Sequence, residues 1–150
     1  TPKSEKAGPI APMEGYGNSL VGLMSSYLEK VPADKIILAV PYYGYDWPVE
    51  ERNQNAAVTG GEVKIYPYAE ILEATKNTQI NWDENAQTPW YSYKDENGQI
   101  RVVHFENDRS LGIKYDFINS KNLQGVGIWA LGFDGLRTEL LQLLSDKFAN

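Results

Sequence analysis

Two short, unbroken apolar runs limit what this chain can fold into: Lys35-Ile36-Ile37-Leu38-Ala39-Val40 and Gly125-Val126-Gly127-Ile128-Trp129-Ala130-Leu131. Neither alternates polar with apolar residues, and the first is β-branched. Such a run suits a strand covered on both faces, as in a parallel sheet. Pro41 is expected to close the first run, because proline brings no N–H to a ladder. A helical stripe accompanies each run. Asn18 stands where it would cap a helix carrying Leu20, Leu23, Met24, Tyr27 and Leu28, which Val31-Pro32 ends. Leu136, Leu140, Leu143 and Leu144 form a second stripe near the end of the chain.

Between the runs the rhythm changes. Residues 63–66 and 79–82 are short strand candidates, and Pro67 is expected to open a helix holding Ala69, Ile71, Leu72 and Ala74. Strand-like stretches at 90–93 and 99–105 flank Asp95-Glu96-Asn97-Gly98, and Asn-Gly in that setting signals a hairpin. Asn107 or Asp108 then caps a helix with Leu111, Tyr115 and Ile118. The expected division is a Pro- and Gly-rich linker or loop at 1–17, a parallel α/β part at 18–49 and 106–150, and an α+β unit at 50–105.

Composition excludes several functions. The net charge of −6 argues against a nucleic-acid backbone or an anionic lipid surface as partner. Cysteine is absent, which removes disulfides, thiolate nucleophiles and cysteine zinc sites. The single histidine, His104, excludes a multi-histidine metal site and is expected to sit partly exposed in a strand. No apolar run approaches the length of a membrane-spanning helix. The chain opens Thr1-Pro2-Lys3-Ser4, so a processed protein or an excised piece is expected.

Pro41-Tyr42-Tyr43-Gly44-Tyr45-Asp46-Trp47 lies just past the carboxyl end of the first run, where parallel α/β folds bind ligands. It reads equally as a sugar-stacking wall and as an aromatic plug over the strand end. Trp129 by itself fits a core better than a ligand platform. The glycines around it do not form Gly-x-Gly-x-x-Gly and no lysine follows Gly132, so nucleotide loops are excluded. Phe105-Glu106-Asn107-Asp108-x-Ser110 suits helix capping more than catalysis. Trp82-Asp83-Glu84 reads as a strand end and turn, with a binding edge as the alternative.

Taken together, these blocks resemble the carboxyl-terminal part of a family-18 glycoside hydrolase, nearest to the bacterial chitinase-like and spore-cortex-lytic group. Residues 32–47 resemble that family's seventh barrel strand and its loop. Trp82-Asp83-Glu84-x-Ala86 and 89–93 resemble its inserted domain. Phe105-Glu106-x-Asp108-x-Ser110 with Lys114-Tyr115 resembles the segment returning to the barrel, and 125–132 the eighth strand. The resemblance covers about 16–150. It implies an α/β plus α+β fold: a carboxyl-terminal fragment of a TIM (β/α)8 barrel carrying an α+β insertion domain.

The resemblance also implies a parent enzyme that cleaves β-1,4 linkages next to N-acetylglucosamine, in chitin or peptidoglycan, with retention. In that chemistry the substrate's acetamide oxygen attacks the anomeric carbon while a protein Glu protonates the leaving oxygen. The family's acid motif, Asp-x-x-Asp-x-Asp-x-Glu, is missing, since no Asp here is followed two residues later by Glu. No catalytic residue, metal or cofactor is therefore expected, and the chain alone is expected to be inactive. Substrate binding is what it implies for this chain, with Trp129 as the floor and Tyr43, Tyr45, Asp46 and Trp47 around it. Tyr45 stands where many of the family's chitinases carry arginine. The implied partner is an N-acetylglucosamine polysaccharide, and the implied location is secreted or at a bacterial cell envelope. A non-catalytic carbohydrate-binding module and a scaffold without a glycan role are the alternatives. The two apolar strands would border open sheet edges, so self-association as a homodimer is expected.

Overall fold

Both apolar runs are strands, and they pair with each other. In the structure, a computed structural model that describes residues 4–149, β1 (Ile37–Pro41) lies parallel to β7 (Gly125–Trp129). The register runs from Ile37 opposite Gly125 to Pro41 opposite Trp129. Only one face of this pair is covered. Leu38 and Val40 turn toward α3 (Asp108–Ser120) and α4 (Glu139–Phe148) and join a core with Leu111, Tyr115, Ile118 and Leu140. On the opposite face Ile37 is 62% exposed and Trp129 67% exposed. The expectation of strands covered on both faces therefore fails for β1. A parallel strand is covered only where flanking strands and layers supply partners, and among the described residues this sheet has two strands.

The second sheet is antiparallel, with strand order β3-β2-β6-β5-β4. Its strands are β2 (Tyr43–Pro48), β3 (Lys64–Pro67), β4 (Asn81–Asp83), β5 (Thr88–Lys94) and β6 (Ile100–His104). The hairpin joining β5 and β6 places Gly98 at φ 78°, a conformation glycine adopts without steric cost. Helix α2 (Tyr68–Thr75) begins immediately after Pro67.

Pro41 does not end the strand region. It is the last residue of β1, and after Tyr42 the chain enters β2. Tyr43–Pro48 thus belongs to the antiparallel sheet, and the change of sheet falls at Tyr42 rather than at the expected position 50. Gly44 is required where β2 crosses beneath α2. A Cβ there would lie 2.6 Å from both the His104 carbonyl oxygen and Ile71 Cδ1.

Local signals set the helix starts. The Ser19 hydroxyl, rather than Asn18, accepts from Gly22 N at the head of α1 (Leu20–Leu28). Asn107 and Ser110 form a reciprocal capping box at the head of α3, with both bonds at 2.9 Å. Leu136, expected on the last helix, precedes α4 and is fully exposed. Residues 4–18 contain no helix, yet they are not a free linker. Ala7 N donates to Ala56 O and Met13 N to Ala86 O, both at 2.9 Å. Residues 1–3 of the expected linker lie outside the described residues.

Candidate functional site

The strand ends fix Trp129. Its carbonyl oxygen accepts from Tyr42 N at 2.7 Å. Tyr42 is itself anchored, its hydroxyl lying 2.9 Å from that of buried Tyr115. The last residue of β7 is therefore held by its backbone while its indole stays open to solvent.

Tyr43, Tyr45 and Trp47 alternate along β2 and so share one face of the sheet. They form an edge-to-face row, with ring centroids 5.8 Å apart for Tyr43–Tyr45 and 5.6 Å for Tyr45–Trp47. Two cavities meet along this row. One of about 290 Å³ lies between Trp129, Pro41, Tyr43 and the α1 residues Leu20 and Leu23. The other, of about 530 Å³, continues past Ile10 and Asn18 toward Tyr16, Tyr45 and Trp47. The result is an open trough with aromatic faces and a few hydroxyl groups. Such a lining suits the C–H faces of pyranose rings, with phenols free to bond sugar hydroxyls. Burial, aided by Tyr45, pushes the Tyr43 phenol up to about 12, so it remains a hydrogen-bond donor at neutral pH. Among the described residues no three His, Asp or Glu side chains converge on a metal position.

Two of the expected sugar contacts are placed otherwise. Asp46 is fully buried on the other face of β2. Its carboxylate accepts from Arg101 Nε at 2.8 Å and from the Tyr93 hydroxyl at 2.7 Å. Trp47 is 3% exposed and donates its indole N–H to the Gly8 carbonyl at 3.0 Å. Neither offers a free polar group to a ligand. The cause is the strand: alternation sends Asp46 away from its aromatic neighbours, and residues 4–18 cover Trp47.

His104 is buried rather than partly exposed. Its Nε2 lies 2.7 Å from the Gln54 carbonyl, which only accepts, so Nε2 carries the proton. Nδ1 then has no partner. Burial lowers the ring's pKa to about 4. The acidic run after β6 is structural. Asn107 caps α3, and Glu106 is buried in an ion pair with Lys114 at 2.7 Å. Burial raises the Glu106 pKa against the opposing pull of Lys114. Asp83 accepts from Asn85 N and Ala86 N in a turn, and Arg109 lies 3.7 Å over the Trp82 ring. Tyr16, read from sequence only as part of a Gly-rich loop, borders the trough and donates to Asp83 at 2.7 Å.

A family model described as glycosyl hydrolases family 18 matches residues 1–134. The cortical fragment-lytic enzyme of Bacillus subtilis (strain 168) is 33% identical over 121 residues, covering 81% of this chain and 27% of that protein. The solved structure of the Bacillus megaterium QM B1551 spore cortex-lytic enzyme SleL is 32% identical. It superposes with a TM-score of 0.70 over 92% of this chain and 33% of its own. Human YKL-39, described as a pseudo-chitinase with retained chitooligosaccharide binding properties, shares the fold at 19% identity. Its TM-score is 0.83, over 97% of this chain and 46% of its own. The chain thus spans about a quarter to a third of the length of the curated relatives it matches.

Proposed function

The chain belongs to glycosyl hydrolase family 18, and from that premise we propose that it is the carboxyl-terminal part of a (β/α)8-barrel enzyme acting on N-acetylglucosamine-containing polysaccharide of the chitin or peptidoglycan type. In this reading β1 and β7 are the seventh and eighth barrel strands. The antiparallel sheet, from β2 onward, is an α+β insertion domain forming one wall of the cleft. The observation that carries the reading is Trp129, 67% exposed at the carboxyl end of β7 beside Tyr43. Carboxyl strand ends are where parallel α/β barrels hold substrate.

Trp129 is the floor under the reacting sugar, with Tyr43 and Tyr45 as walls. The parent enzyme retains configuration: the substrate's acetamide oxygen attacks the anomeric carbon, and a Glu upstream of this chain protonates the leaving oxygen. The chain itself has no Asp-x-Glu, so it positions substrate without cleaving it. It needs no cofactor in that role. The parent acts outside the cell or at the cell envelope. By itself the chain self-associates as a homodimer through the open edges of β1 and β7.

Calorimetry with N-acetylglucosamine oligomers and with peptidoglycan glycan strands, together with turnover assays, tests the reading. Saturable binding without hydrolysis is expected from this chain. Hydrolysis is expected from a longer chain that includes the upstream strands. Hydrolysis by residues 1–150 alone would overturn the proposal. Binding without hydrolysis by the longer chain would make the protein a non-catalytic carbohydrate-binding module.

A further inference from the structure

The opposite face of the five-stranded sheet holds a cavity of about 370 Å³ that the trough does not use. It opens between α2 and strands β3 and β5. Tyr91 and Tyr93 lie on this face, with ring centroids 6.1 Å apart and tilted by 33°. Tyr66 of β3 lines the same space, and Ile71 of α2 forms an apolar side.

Among the described residues the cavity offers negative charge and π-faces and no cation: the Tyr66 and Tyr91 hydroxyls can donate or accept, and the other polar groups on its rim only accept. The Tyr93 hydroxyl has given its hydrogen to Asp46 Oδ2 at 2.7 Å, which leaves its oxygen free to accept. The Thr78 hydroxyl has likewise donated to the Ala74 carbonyl at 3.2 Å. Glu70 is an exposed carboxylate, an acceptor only. It makes no ion pair among the described residues, whereas Glu73 on the same helix is bound to Lys76 and Arg137. No Lys or Arg lines the cavity. Arg101, which reaches this face of the sheet, is committed to Asp46 at 2.8 Å. Burial pushes the Tyr91 phenol up to about 12, so its ring stays a neutral π-face across the physiological range.

We infer that this cavity binds an alkylammonium group, held against the faces of Tyr66, Tyr91 and Tyr93 with Glu70 as its counter-charge. Aromatic faces attract cations through their quadrupole, and Glu70 supplies a carboxylate with no cation paired to it among the described residues. A neutral sugar ring would gain nothing from the Glu70 charge and no cation–π attraction here. The inference rests on these residues alone and does not depend on the role proposed for the trough.

Ring-labelled tyrosine NMR on the chain tests it with three probes. D-glucosamine and N-acetylglucosamine share a ring but differ in charge, and Nα-acetyl-lysine methylamide carries its amine on a peptide. Saturable shifts of the Tyr66, Tyr91 and Tyr93 signals are expected with both amines. N-acetylglucosamine should bind about tenfold more weakly, and Glu70→Gln should weaken the amines about two- to fivefold. Ala74→Trp, which fills the cavity from an exposed helix position, should abolish the shifts while the rest of the spectrum stays folded. The tighter of the two amines identifies an amino sugar or a peptide as the source. Equal binding of N-acetylglucosamine overturns the inference, as does the absence of saturable shifts or an amine response unchanged in both variants.

Discussion

The antiparallel sheet and the parallel pair are built on opposite terms. The five-stranded sheet pairs its buried charge from within: Asp46 is held by Arg101 and Tyr93, His104 is sealed in with Nδ1 unpartnered, and Gly44 lets α2 lie directly on β2. The parallel pair covers one face with α3 and α4 and leaves the other open, with Ile37 and Trp129 in solvent. A buried carboxylate whose partners lie in the same sheet draws on no other layer for its hydrogen bonds. An uncovered strand pair keeps apolar side chains and an aromatic ring in water. The trough lies where these two kinds of structure meet, with its floor on the open part and its walls on the closed one.

Breaking the closed sheet should have the largest effect. Arg101→Ala leaves the buried Asp46 carboxylate with Tyr93 alone, and a loss of about 3–5 kcal/mol is expected. Denaturant melts measure it, and a loss below about 1 kcal/mol would show that this sheet depends less on its buried pair than the comparison states.

Acid should act next, also on the closed sheet. His104 has a folded pKa of about 4 against an unfolded 6.5. Between those values the unfolded chain binds the extra proton and the folded one does not. The contribution is therefore complete above about pH 6.5 and is lost as pH falls toward 4, on the order of 3 kcal/mol. Glu106, whose folded pKa is raised, acts in the opposite direction. Melts of wild type and His104→Gln across this range separate the two. The variant should show the shallower fall on acidification.

On the open part, Trp129→Ala should barely change stability, by about 0.5 kcal/mol or less, because the indole is exposed. A core tryptophan would cost about 3–5 kcal/mol. The same substitution should lower oligosaccharide affinity about tenfold or more if the trough binds glycan. Melts and calorimetry on one variant decide between the two roles. Ile37→Lys, also exposed, should leave stability unchanged within error and shift a self-associated chain to monomer. Light scattering reads this directly, and a dimer unaffected by a charge at that edge would place the contact elsewhere.

Local chemistry was legible in the chain. The Asn107–Ser110 box, the Asn97-Gly98 hairpin and both apolar strands lie where their residues put them. So does the order of blocks that resembles family 18, because caps, turns and apolar runs act over a few residues. The site was legible in part. Tyr43, Tyr45 and Trp129 border the trough and Trp47, largely covered, reaches its far end, whereas Asp46 in the same run is buried on the other face. Tyr43, Tyr45 and Trp47 already show a period of two, the mark of a strand, but Pro41 masked it by suggesting that the strand had ended.

Tertiary structure alone decided the face on which each residue of that run lies. Tyr45 meets His104 and Trp47 meets Val102 across more than fifty intervening residues, and no local pattern carries a pairing of that range. It also decided that His104 is sealed, that residues 4–18 cover Trp47, and that Trp129 is open. Sequence determines which side chains alternate. Burial depends on what arrives from elsewhere in the chain to cover one face and leave the other in water.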